Sequence, residues 1–446
     1  MSTSRRKPPS PWTPQQGSSG TYAVGIHDGL TKFKEDLTNI ARRLPGLTKG
    51  PPLPYGNAAI IGDTVDLQTL AFHEIQGCNL TPENVAERME TNDIRYHAWV
   101  AAKRVVEEER VSLDNEPELL RATTEQFLVE LGLALLDLVP QIVTFVDPRL
   151  YEDAPAMVTA ARALMARFDA AGIEDGRVIV TVPATEQGVR AAHELSTEHS
   201  IHTNLTLVSG LLHATACIEA GVNLMTMSVG PLLEWFEQKI GGAYPIAPGH
   251  PGIEVIQSCA SYIQFNGVRT RLMTADIRTW SELKQLNGLA AVALNQQQLD
   301  RIPRHTLTTW FPSPEDASAA SLRARQAQWP PTFLQSKKGF MSAMSAESRS
   351  MVSAVLFVGL GKMNIHMEKI DGVIRQEVRR RVELETGDLR SLYSRDTEIL
   401  TPTQTTTKGR MLPSPSESPS AKSPQGRFEK DKARETGPLI EGVDYF

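Results

Sequence analysis

Short apolar runs recur along the middle of the chain, and each is too brief to make a buried helix. They are AAIIGDT (58–64), IQGCNL (75–80), IVTFVD (142–147), RVIVTV (177–182), IHTNLTLV (201–208), VNLMTMSV (222–229), VRTRLMTADI (268–277) and LAAVAL (289–294). Helical patterns separate most of them. APAMVTAARALMARFDAAG (154–172) carries apolar residues at helical spacing and stops at Gly172. TEQGVRAAHELSTEH (185–199) opens on Thr185, whose hydroxyl suits an N-cap, and SGLLHATACIEAG (209–221) ends on Gly221, a helix-stop residue. Eight strands alternating with helices predict an α/β fold, a (β/α)8 TIM barrel of about 250 residues. An open, doubly wound sheet shares this alternation; the closed barrel is the preferred reading.

Two features depart from a minimal barrel. A long helical insertion separates the second and third strands, and residues 345–387 form one long helical pattern expected to pack on the barrel. Both ends change character. Residues 1–22 are basic, then rich in Pro and Ser, and are expected to be a disordered arm; 23–57 form an N-terminal extension. The barrel with its C-terminal helix is expected over 58–390. Residues 391–446, rich in Pro, Ser, Thr and charge, predict a disordered tail that cannot bury enough apolar surface to order itself. The tail's apolar end, PLIEGVDYF, leaves a protein partner there open.

Composition narrows the setting. The chain has 446 residues, of which 41% are hydrophobic and 22% charged, as in a soluble globular protein. The net charge of −6 and the lack of a basic stripe argue against nucleic acid. No apolar run reaches the roughly 20 residues of a membrane helix, so no membrane partner is expected. Three cysteines without paired spacing suggest a reducing compartment, and a cytoplasmic location is the expectation. No His, Asp or Glu cluster has metal-ligand spacing; neither a metal nor a cofactor is expected. A homo-oligomer remains open.

From about residue 58 to 299 the chain resembles the transaldolase family. GDTVDLQTLAFHEIQGCNLTPENV (62–85) is similar to its first two strands, VTFVDPRL (143–150) to its third, and RVIVTVPATEQGVRAAHEL to the strand and helix that carry its Schiff-base lysine. NLTLVSGLLHATACIEAGVNLMTMSVG (204–230) is the closest stretch, and LMTADIRTWSELKQLNG (272–288) resembles the strand ending in a phosphate-binding arginine. The resemblance implies metal-free chemistry in which a lysine captures a ketose phosphate, carboxylates move protons and arginines hold phosphate. It also implies that this chain departs from that set. Asp63 matches the strand-one carboxylate. Thr81 replaces a donor-binding amide, Phe145 the acid/base carboxylate of strand three, and Thr181 the lysine. Asn204 and Thr206 match the substrate-binding amide and the water-holding hydroxyl. Thr226 replaces a serine, Ser228 an aromatic residue and Pro231 one phosphate-binding arginine. Arg278 keeps the other, but with Asp276 where a serine stands beside it.

None of the fifteen lysines falls on a strand run. Threonine can add to a carbonyl but cannot form an iminium, so transaldolase activity by the usual route is not expected. The polar set Asp63, Thr81, Thr181, Asn204, Thr206, Thr226, Ser228, Asp276 and Arg278 is expected at the C-terminal mouth of the barrel, where sites in this fold are built. There it would bind a small molecule, a carbonyl or polyol compound, with Asp63, Thr206 and Asp276 as the catalytic candidates and Asp276 pairing with Arg278. Three functions follow: a binder or acid/base enzyme without Schiff-base chemistry, a non-catalytic paralogue serving as a binding partner, and a working transaldolase with a displaced lysine.

Overall fold

The computed structural model describes residues 58–386, apart from 74, 109–114, 175, 242–248, 303–316 and 336–337. The expected arm (1–22), extension (23–57) and tail (391–446) lie outside the described residues. All eight runs are strands: β1 (Ala59–Gly62), β2 (Gly77–Asn79), β3 (Ile142–Phe145), β4 (Val178–Pro183), β5 (Thr203–Thr206), β6 (Leu224–Ser228), β7 (Arg271–Ala275) and β8 (Ala291–Leu294). Each pairs in parallel with the next, and β1 pairs with β8 through Ala59–Ala291 to Gly62–Leu294, so the sheet closes into a barrel. The closed barrel expected from the pattern is the architecture found, and the open sheet is set aside.

Side-chain alternation sorts the barrel interior into layers. Ile61, Val143, Ile179, Leu224, Met273 and the alanines of β7 and β8 form an apolar cluster inside. Two residues further along their strands, Asp63, Thr181 and Thr226 stand above Ile61, Ile179 and Leu224. The interior is therefore oily below and polar at the top. The faces between them, such as Val180, Val182 and Leu205, are fully buried against the helices.

The helices start where the strands end because capping residues stand there. Thr81 accepts from Asn84 N (3.2 Å) at the head of α2, the second helix (Pro82–Arg88), following α1 (Leu67–Phe72). The insertion between β2 and β3 continues as α3 (Asn92–Lys103) and α4 (Glu116–Leu136). After β3 comes α5 (Ala154–Ala170), and after β4 comes α6 (Glu186–Glu198). Thr185 caps α6 as the sequence predicts, accepting from Gly188 N at 2.9 Å. Then follow α7 (Leu211–Glu219), α8 (Val229–Ile240), α9 (Pro251–Phe265), α10 (Trp280–Leu283), α11 (Gln296–Asp300) and α12 (Ala319–Gln326).

The long C-terminal pattern is one helix, α13 (Ala346–Thr386). Met351, Val352, Val355, Leu356 and Leu360 are buried on it. Gly359, where the sequence carries a Gly-x-Gly, allows a close approach: a Cβ there would lie 2.5 Å from Leu207 Cδ2. The expectation that no segment has the length and apolarity of a membrane span needs correction, because α13 reaches both by composition alone. About a third of that window is buried within the protein.

Candidate functional site

The polar top layer opens into a cavity of about 400 Å³ at the C-terminal end of the strands. Asp63 lies in its floor. Asn79 Nδ2 donates to Asp63 Oδ1 at 3.0 Å and Asn84 Nδ2 donates to the same oxygen at 3.2 Å. Asn84 also donates to the Asn79 carbonyl and accepts from Thr81 N, so the capping of α2 fixes the amide that holds the carboxylate. Burial is the main force on Asp63 and raises its pKa to about 7, with the Asp276 charge adding to the rise; the bond from Asn79 acts against it. Asp63 is thus a carboxyl that titrates at neutral pH, the property expected of a general acid/base.

The neighbouring hydroxyls and amide are tied to one another. Asn204 Nδ2 donates to Thr181 Oγ1 at 3.1 Å, and Thr226 Oγ1 donates to Asn204 Oδ1 at 2.9 Å. This chain runs across β4, β5 and β6 and holds Asn204, which is 1% exposed, in place. Thr206 and Ser228 line the cavity higher up. Below them a side chamber beside Thr181 and Asn204 has a volume of only about 30 Å³. That is room for about one or two waters. Phe145, which pairs in register with Thr181, and Met363 of α13 are among the residues that close it.

Arg278 also reaches the cavity wall, but its partners are not the expected ones. The anticipated pair with Asp276 is corrected: Arg278 donates to Glu237 through both terminal nitrogens (3.1 and 3.0 Å) and to Glu282 through Nε (2.9 Å). Glu282 prevails because the capping box of α10 delivers its carboxylate to Arg278 N and Thr279 N as well. Glu237 offers a fork that matches the guanidinium. Arg278 in turn holds the Glu237 carboxyl below its ordinary range. Asp276, at φ 52, presents its own carbonyl to Gly230 N at 3.0 Å.

Sequence reasoning missed the residues supplied from far along the chain. Lys362 and His366 of α13 line the same cavity as Asp63, together with Glu83 and Glu234. Lys362 is exposed and makes no ion pair among the described residues. The i,i+4 spacing of Arg278 and Glu282 was a legible signal for that pair. His213 and His73 both lie outside the cavity. His213 is fully buried, bonded through Nε2 to the Ala184 carbonyl at 2.7 Å, and burial lowers its pKa to about 4. His73 meets Asp300 at 3.1 Å, a partner that no helical spacing announces. The described residues contain one three-ligand grouping of metal-binding type, Glu194, Glu198 and His199, at the far end of α6 from the cavity.

A family profile described as Transaldolase/Fructose-6-phosphate aldolase matches residues 60–347, more than half of the chain. The chain belongs to this family. Its curated relatives include a transaldolase of Kluyveromyces lactis, 30% identical over 245 residues covering 54% of this chain and 72% of the relative. A transaldolase of Nostoc punctiforme is 31% identical over 268 residues, covering 59% and 78% respectively. A third, from Thermosynechococcus vestitus, is 35% identical over 190 residues, covering 42% of this chain and 48% of its own length. Within this transaldolase-family barrel, the strand-four position that the resemblance assigns to the lysine holds Thr181.

Proposed function

We propose that this transaldolase-family protein binds a small neutral or cationic carbonyl or polyol compound in the upper cavity and acts on it by proton transfer through Asp63. Schiff-base chemistry on strand four is not part of this reading. The observation that carries it is the contrast in space: about 400 Å³ around Asp63 against about 30 Å³ beside Thr181. A sugar chain fits the first and not the second. The Arg278 fork is already spent on Glu237 and Glu282, and Asp63, Glu83, Glu234 and Asp276 give the cavity a carboxylate excess that repels phosphate. An ionised Asp63 would take a proton from a carbon or hydroxyl beside a carbonyl, and its neutral form would return one. Thr206 and Ser228 would position the ligand's oxygens.

One observation favours a second reading. Lys362 brings an amine to the cavity wall, so an iminium formed there would make the protein a Schiff-base enzyme with its lysine on α13. The same experiment separates the two. The full chain is incubated with fructose 6-phosphate, reduced with borohydride and weighed intact. No adduct is expected; a single adduct mapping to Lys362 establishes the second reading. A non-catalytic role predicts that ligands found by thermal-shift screening are bound and recovered unchanged, with Asp63→Asn altering binding alone.

A further inference from the structure

A second cavity, of about 230 Å³, lies outside the barrel beside the exit of β3. Three helices fan apart there. Leu120 and Leu128 come from α4, Ala160 and Leu164 from α5, and Met367 from α13. Leu164 and Met367 are each 1% exposed, so the walls are fixed by the core. Phe145 and Val146 line both this cavity and the small chamber beside Thr181. The wall between the two spaces is therefore a single layer of residues.

We propose that this cavity is a binding site for a compact, neutral hydrophobic molecule, an aromatic or alicyclic ring carrying one hydrogen-bond acceptor. The size fits: an apolar cavity of about 150 Å³ takes up benzene, and this one has room for a ring with a substituent. Apolar walls of Leu, Phe and Met make no polar demand on the occupant, and filling them restores the dispersion contacts that an empty space forfeits. The lining also carries the polar side chains of Arg121, Thr124, Glu125, Asp147, Arg149 and Asp371. Arg149 is held there by Asp147 (Nε, 2.9 Å) and Asp371 (Nη1, 2.6 Å). Each terminal nitrogen carries two hydrogens, and one on each is used by these carboxylates. The remaining hydrogens can donate to a carbonyl or hydroxyl oxygen. The two aspartates outweigh the one guanidinium, and Arg121 is offset by Glu125 at 4.0 Å, so a carboxylate-bearing molecule is disfavoured. An occupant presses on Phe145 and Val146, so binding here is expected to reshape the chamber beside Thr181.

The test is fluorine NMR on the full chain with 4-fluoroacetophenone, a ring with one acceptor. Saturable binding with a dissociation constant below about 1 mM is expected. Ala160→Leu, which fills the cavity from a wall position, should weaken it at least tenfold and raise the melting temperature. Should Ala160→Leu fail to fold, Leu120→Trp fills the same space from a half-buried position and should do the same. Ser228→Leu, which crowds the barrel cavity but does not line the chamber beside Thr181, should leave binding intact. Non-saturable binding, binding indifferent to the filling variant, or binding lost in Ser228→Leu would overturn the proposal. 4-Fluorobenzoate, the anionic counterpart, should bind at least tenfold more weakly; equal binding refutes the role assigned to these charged groups.

Discussion

Asp63 concentrates what is unusual at the scale of the residue. Two amides donate to one of its oxygens, yet the desolvation of the carboxyl and the nearby Asp276 charge outweigh them and hold it at about 7. Carbon-13 NMR of labelled aspartates should therefore find one carboxyl titrating near neutrality, and Asp276→Asn should move its midpoint down. Stability follows with a definite sign. Folded Asp63 keeps its proton more tightly than the unfolded chain does, so its contribution is fully present below about pH 4 and is lost as pH rises through about 7. Asp63→Asn keeps an acceptor for Asn79 and removes the ionisation. Buried His213, whose lowered pKa makes it gain stability over part of the same range, does so in both proteins, so the stability of the wild type relative to Asp63→Asn isolates Asp63 and should fall across the window by at most about 4 kcal/mol. Urea unfolding of both proteins at pH 5 and pH 8 measures it; a wild type that loses no stability relative to Asp63→Asn over this range contradicts the assignment. Asp63 itself could be singled out from the sequence, through its place on a family-like first strand. Its pKa could not, because Asp276 and the helix-capping Asn84 meet it only in the folded barrel.

Elements were legible where one face repeats. Most strand runs are dominated by apolar and β-branched residues, and Thr185 and Gly221 mark helix ends by their chemistry alone. The strands came out shorter than the runs that predict them, as in β5, where only 203–206 of 201–208 pair. The contribution of α13 to the site was hidden because helical periodicity says which residues share a face but not what that face covers. Lys362, Met363 and His366 reach the cavity about 300 residues after Asp63. Gly359 and Gly361 separate the two sides of this helix. Leucine at 359 meets Leu207 at van der Waals-forbidden distance and should destabilise the protein by about 1–3 kcal/mol. Alanine at 361, where the space is open, should stabilise it by up to about 1 kcal/mol through helix propensity. Chemical denaturation of the two variants is the measurement. Equal effects would mean that α13 does not sit against Leu207 in solution.

Over the whole molecule, the barrel brings carboxylates from the end of β1, the first turn of α2, α8 and the end of β7 into one mouth, and no single stretch of sequence reveals that convergence. Asp63, Glu83, Glu234 and Asp276 face the cavity, while its arginine is neutralised from behind by Glu237 and Glu282. These carboxylates and the already paired arginine are the basis of the proposed preference against phosphate. The arrangement turns on Glu237, because it occupies the two terminal nitrogens of Arg278 that a phosphate would need. Glu237→Gln removes one negative charge and weakens its hold on the fork, while Glu282 keeps the capping of α10 intact. Inorganic phosphate, followed by phosphorus NMR or calorimetry, should bind the wild type only negligibly at millimolar concentration. The variant should bind about tenfold more tightly, a gain of about 1.4 kcal/mol. Because the interaction is between partly exposed charges, the gain should shrink as salt rises from about 0.01 to 1 M and the Debye length falls from about 30 to 3 Å. If phosphate binds the wild type as well as the variant, Arg278 is not committed to Glu237, and the case against a phosphorylated ligand fails with it.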